Sequence, residues 1–119
     1  MTKTQTAGFF LLLLVALLAP RAVMAHAVLL ESVPANDAVL SAPPTEILLR
    51  FNEPVTPGRI EVLNSAGDSV TANEKPTARD TEIRMALPPG LTEGTYLLSY
   101  RVTSLDSHPV GGTVVFSIG

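Results

Sequence analysis

Two residues supply all the imidazole in this 119-residue chain, His26 and His108. His108 lies in the run Asp106-Ser107-His108-Pro109. Asp106 and His108 are two positions apart, so on an extended segment their side chains point the same way. They could then offer one carboxylate oxygen and one imidazole nitrogen to a shared ion, with Pro109 stiffening the exit. His26 follows Ala25 at the end of a stretch that looks removable. A histidine that becomes the first residue differs from an internal one. Its free α-amino group has a pKa of about 8, so a metal can displace the proton near neutral pH. Its Nδ1 lies within chelating reach of that amine, and one residue then offers two nitrogen donors. Among first-row divalent ions Cu(II) gains most from nitrogen donors and favours tetragonal geometry. Asp106 and His108 would complete such a plane. Separately each signal is weak. A histidine at a cut site can be accidental, and Asp-Ser-His-Pro can be a plain strand-end turn.

The removable stretch has the layout of a secretory signal. Lys3 gives a basic start, and Ala7 to Ala19 are uncharged and nearly all apolar. Pro20 and Arg21 end that run, and Val23-Met24-Ala25 offers tolerated side chains before a cut after Ala25. The apolar run is shorter than the roughly 20 residues a membrane span needs, which favours cleavage over an uncleaved anchor. The expectation is a signal peptide over 1–25, a mature domain over 26–119, and export to the periplasm without stable membrane insertion. Loss of Lys3 and Arg21 leaves six basic residues against 11 acidic ones, a net charge near −5. No basic patch remains to follow a phosphate backbone, so nucleic acid is excluded as a partner. There is no cysteine, so neither disulfides nor thiolate ligands are available, and no tryptophan for a carbohydrate platform.

The mature part must position these residues with a small core. Nine of the ten prolines and seven of the eight glycines lie in it and divide it into short runs of β character. Strands are expected over Ala27–Val33, Glu46–Phe51, Arg59–Leu63, Thr81–Leu87, Gly94–Thr103 and Thr113–Ile118, with a short return strand near Val70. Tyr96, Leu98, Tyr100 and Val102 keep period two, as do Val114, Phe116 and Ile118. Residues 34–44 and 74–80 look like loops. About seven short strands and no amphipathic helix indicate an all-β fold, a single Greek-key β-sandwich or barrel.

The sequence resembles the CopC/PcoC family of periplasmic copper-binding proteins. The resemblance spans essentially the whole mature part. It rests on His26, on Glu31-Ser32-Val33-Pro34-Ala35-Asn36, on Leu49-Arg50-Phe51-Asn52-Glu53-Pro54-Val55, on Gly94-Thr95-Tyr96, and on Thr103 to Gly112. It implies a cupredoxin-like (Ig-like) barrel and one Cu(II) per chain. The ligands it implies are the amine and imidazole of His26, the Asp106 carboxylate and the His108 imidazole. Glu53 matches an acidic family position near the copper and is expected to orient a ligand or water through a hydrogen bond; a solvent-exposed strand-end carboxylate is the alternative. The resemblance also implies a role in copper resistance, buffering or delivery, with an inner-membrane CopD-like transporter as a candidate partner. The chain stops at the end of its last strand, so no fusion to such a transporter is expected.

Some members add a methionine-rich Cu(I) site. Here Met1 and Met24 lie in the expected signal, and Met85 alternates with charged neighbours like a core side chain. A Cu(I) site is therefore not expected. Two other functions stay open on sequence. One is a copper monooxygenase built on a histidine brace, disfavoured by the carboxylate in the copper plane and the lack of a broad aromatic face. The other is a metal-free Ig-like interaction module. The expectation is a carrier and not an enzyme.

Overall fold

The computed structural model describes residues 26–119, and the expected signal peptide lies outside the described residues. Eight strands follow in order: β1 (Leu29–Val33), β2 (Ala38–Leu40), β3 (Glu46–Phe51), β4 (Thr56–Leu63), β5 (Thr77–Arg79), β6 (Glu82–Ala86), β7 (Gly94–Thr103) and β8 (Pro109–Ile118). They form two four-stranded sheets, ordered β1-β3-β6-β5 and β2-β8-β7-β4. All neighbours are antiparallel except β2 and β8, which run parallel. No helix among the described residues is long and apolar enough to cross a membrane.

Period-two alternation accounts for the core. Ile47, Leu49 and Phe51 of β3 and Ile83 and Met85 of β6 turn inward from one sheet. Ile60 and Val62 of β4, Tyr96, Leu98 and Val102 of β7, and Val114, Phe116 and Ile118 of β8 meet them from the other. Full burial of each large side chain is worth about 1.5–3 kcal/mol, so a slip of one residue in any of these strands would empty the core face. Met85 is 2% exposed and belongs to this core, as its alternation predicts.

The strand count exceeds the expected seven, and the two additional strands explain why. β2 lies inside the segment expected as a loop, and β5 inside the second polar loop. Each has three residues at a sheet edge, and β5 is exposed throughout. β5 carries no alternation to read, and in β2, where Ala38 and Leu40 pack against the core around an exposed Val39, three residues are too few to show one. Asn36 Oδ1 accepts the Val115 amide at 3.0 Å and the Asp37 amide donates to the Val115 carbonyl at 2.7 Å, tying β2 to β8. Much of the Glu31–Asn36 motif is thus architectural. The short return strand near Val70 reduces to an isolated bridge between Leu63 and Ser69.

β8 begins at Pro109, four residues before the expected start at Thr113. Pro-Val-Gly-Gly resembles a turn in isolation, yet β7 pairs with it throughout, from Thr103 opposite Pro109 to Tyr100 opposite Gly112. Gly112 is needed there because the Tyr100 ring lies across it. A Cβ at Gly112 would fall 2.6 Å from Tyr100 Cζ. Tyr100 in turn packs edge-on against Phe51 at 5.8 Å between ring centres, joining the two sheets.

Candidate metal centre

The β7–β8 connection, Ser104 to His108, is a tight loop closed on its own backbone. The Ser104 amide donates to the His108 carbonyl at 3.0 Å, and the Ser107 amide to the Ser104 carbonyl at 3.0 Å. Ser107 takes a left-handed conformation, φ 67°, which non-glycine residues adopt sparingly. Asp106 and His108 therefore do not project from an extended segment, as their spacing suggested. A turn brings them together, and it does so more closely than a strand would. Asp106 Oδ2 lies 2.8 Å from His108 Nδ1, whereas same-face neighbours on a strand stand about 7 Å apart.

The Asp106 carboxylate is held by division of labour between its oxygens. Oδ1 accepts the Ser104 hydroxyl and, at 3.2 Å, the His108 amide. Oδ2 is left to face both imidazoles, His108 at 2.8 Å and His26 Nδ1 at 3.9 Å. The Ser104 hydroxyl, and after it the His108 side chain, holds the Asp106 carboxyl down to about 2, because both bonds favour the charged form. Asp106 is thus an anion at any physiological pH. Ser104 is buried, at 5% exposure, and its hydroxyl also has the His108 carbonyl within reach at 3.1 Å.

His26 arrives from the other end of the chain. Ala27 is buried in the core at 3% exposure, which fixes the residue before it. Val28 is bound twice by Asn52. Its amide donates to Asn52 Oδ1 at 2.7 Å, and its carbonyl accepts the Asn52 amide at 3.1 Å. The two imidazoles meet edge to face with ring centres 5.2 Å apart.

One donor atom from each of His26, Asp106 and His108 lies within 4.8 Å of the other two. This arrangement fits a metal. With bonds of about 2.0–2.1 Å, two donors to one ion stand roughly 3–4 Å apart, and the observed 2.8 and 3.9 Å separations lie close to that span. The centre is also accessible, with the His108 side chain 61% exposed.

Glu53 is not one of the converging groups. Its Oε1 accepts the Leu105 amide at 3.3 Å, so it braces the loop beside Asp106. The expected role is to orient a ligand or a water; the hydrogen bond present goes to the loop backbone instead. Ser104 and Asn52 carried no assigned role in the sequence reading. A serine two residues before Asp106 is the spacing of a side-chain turn and could have suggested the first. Nothing local pointed to the second.

A family model, the CopC domain, matches residues 29–119. The chain belongs to the CopC family. It is 33% identical to copper resistance protein C of Xanthomonas campestris pv. juglandis, over 85% of this chain and 86% of that protein. It is also 33% identical to the copper transport protein CutJ of Bacillus subtilis, over 93% of this chain. There the chain spans about a fifth of the relative's length, 21%. Among solved structures it is similar to CopC from Methylosinus trichosporium OB3b, with TM-score 0.71 and 30% identity, covering 78% of this chain and 93% of that one. It is also similar to PcoC of Escherichia coli, described as a methionine-rich copper resistance protein. That match has TM-score 0.68 and 29% identity, and covers 80% of this chain and all of PcoC. The CopC-family fold agrees with the Greek-key sandwich expected from the strand pattern. Beyond Met24 this CopC-family chain has one methionine, the buried Met85, whereas PcoC is called methionine-rich.

Proposed function

We propose that the protein is an exported Cu(II) carrier that acts in the periplasm after its first 25 residues are removed. One Cu(II) binds per chain, through the amine and imidazole of His26, the Asp106 carboxylate and the His108 imidazole. The observation that carries this reading is the convergence of the three side chains from segments about 80 positions apart, with one donor atom of each within 4.8 Å of the other two. Nitrogen and carboxylate donors favour Cu(II) over Cu(I). The chain has no thiolate, and the thioether of Met85 is buried. The carboxylate is already ionised, so protons compete with the ion only at the nitrogen donors.

The proposed role is resistance, buffering or delivery to a membrane copper transporter, with no catalytic turnover. Exposure of His108 on a surface loop suits release to a partner. Before cleavage the His26 nitrogen belongs to a peptide bond with Ala25, and the amine donor does not exist. The chelate is then a product of export.

The test compares protein beginning at His26 with protein retaining Ala25, each titrated with Cu(II) against a competing chelator. The expected result is tighter binding by the His26 form and a different paramagnetic resonance spectrum. Equal affinity and equal spectra would overturn the N-terminal chelate.

A further inference from the structure

The ligands come from two distant segments, and neither segment bonds the other through its backbone. What joins them is the turn after β3. Phe51 is the last residue of β3 and is fully buried. The next two residues, Asn52 and Glu53, reach in opposite directions. Asn52 grips Val28 through both backbone groups, at 2.7 and 3.1 Å. Glu53 accepts the Leu105 amide at 3.3 Å. Val28 is two residues from His26, and Leu105 is next to Asp106. Adjacent residues thus hold the two halves of the centre, from a point anchored in the core by Phe51.

We infer that Asn52 is a positioning residue for the N-terminal ligand. With Glu53 it makes the turn after β3 a clamp that sets the distance between His26 and the Asp106–His108 pair. The inference rests on the proposed ligand set. Val28 is 53% exposed and gains little from packing, so hydrogen bonding supplies much of what fixes its backbone. A free N-terminus otherwise frays. Ala27 fixes one point of the segment, and Asn52 provides the second point needed to define its direction. An amide side chain suits this task because its carbonyl oxygen accepts a backbone N–H without adding charge beside the ion.

The two arms of the clamp are separable, and the test uses this. Asn52→Ala is made in protein beginning at His26 and in protein retaining Ala25, and Cu(II) affinity is measured by chelator competition. In the His26 form the expected loss is about tenfold, the low end for residues that orient metal ligands. In the Ala25-retaining form, where the amine is absent and only the imidazole of His26 remains to be positioned, the loss should be smaller, since coupled sites are non-additive. Asn52→Asp keeps an acceptor for the Val28 amide and should restore most of the affinity of the His26 form. Glu53→Gln retains an acceptor for Leu105, whereas Glu53→Ala removes it. The Glu53→Ala loss should be the same in both forms, because that arm serves Asp106.

Equal losses for Asn52→Ala in both forms would mean a general structural effect and overturn the proposal, as would no loss in either. If the unsubstituted protein fails to distinguish the two forms, the ligand assignment itself falls, and the role of Asn52 with it. If the unsubstituted protein distinguishes them and Asn52→Ala preserves the difference in full, only the positioning role falls.

Discussion

Replacing Ser104 by alanine separates the position of Asp106 from its charge. The Ser104 hydroxyl is the largest influence holding the Asp106 carboxyl at about 2, and the His108 side chain and amide supply the rest. Ser104→Ala removes the first and leaves the others, so the carboxyl should titrate higher, between about 2 and its ordinary value of about 3.9. Even at that upper limit only about one carboxyl in a thousand is protonated at pH 7. A loss of Cu(II) affinity at neutral pH therefore cannot come from lost charge. It must come from Oδ1 being released and Oδ2 no longer being aimed at both imidazoles. Outer partners of metal ligands are worth about 10–100-fold in affinity. The remaining amide bond to Oδ1 at 3.2 Å places this variant near the lower figure. The affinity ratio between the unsubstituted protein and Ser104→Ala should stay constant from pH 7.5 to about pH 5.5 and widen only near pH 4. Chelator competition at each pH gives the ratio, and carbon-detected NMR of metal-free protein gives the Asp106 titration. An unchanged Asp106 titration, or full affinity at pH 7, refutes the reasoning. The depressed carboxyl also has a sign for stability. Asp106 titrates lower in the folded chain than unfolded, so it favours the fold above pH about 3.9. That contribution is lost as pH falls through about 2.

Other perturbations follow from the same geometry. Cu(II) affinity should fall as pH drops from 7 to about 4.5, because protons compete with the ion for the nitrogen donors; a flat affinity over that range in chelator competition would remove His26 and His108 as ligands. Gly112→Ala places a methyl against the Tyr100 ring and should disturb its packing on Phe51. Denaturant unfolding should show a loss of about 1–3 kcal/mol at unchanged slope, and a loss under 0.5 kcal/mol would mean that the ring moves freely.

The sequence alone determined the core faces and nominated the residues of the candidate centre. Strands β3, β6 and β7 and the second half of β8 were legible because each buries one face, and burial of one face writes a period of two into the residue types. His26, Asp106 and His108 were legible because metal chemistry restricts the residue types that can take part, and the chain has only two imidazoles. The edge strands β2 and β5 left no such trace, since β5 is exposed throughout and β2 is only three residues long. The start of β8 was hidden for a related reason: Gly111 and Gly112 resemble a turn until Tyr100 is seen lying across them. Spacing misled at the centre itself, where a left-handed Ser107 turns Asp106 toward His108 in place of an extended segment. Only the tertiary structure decided how ligands so far apart in sequence meet. Core burial of Ala27 and Phe51 sets His26 beside the β7–β8 loop, and Asn52, Glu53 and Ser104 hold that distance with hydrogen bonds to backbone and carboxylate. Bonds of that kind follow from where the chain passes, so they leave no local pattern in the residues that make them.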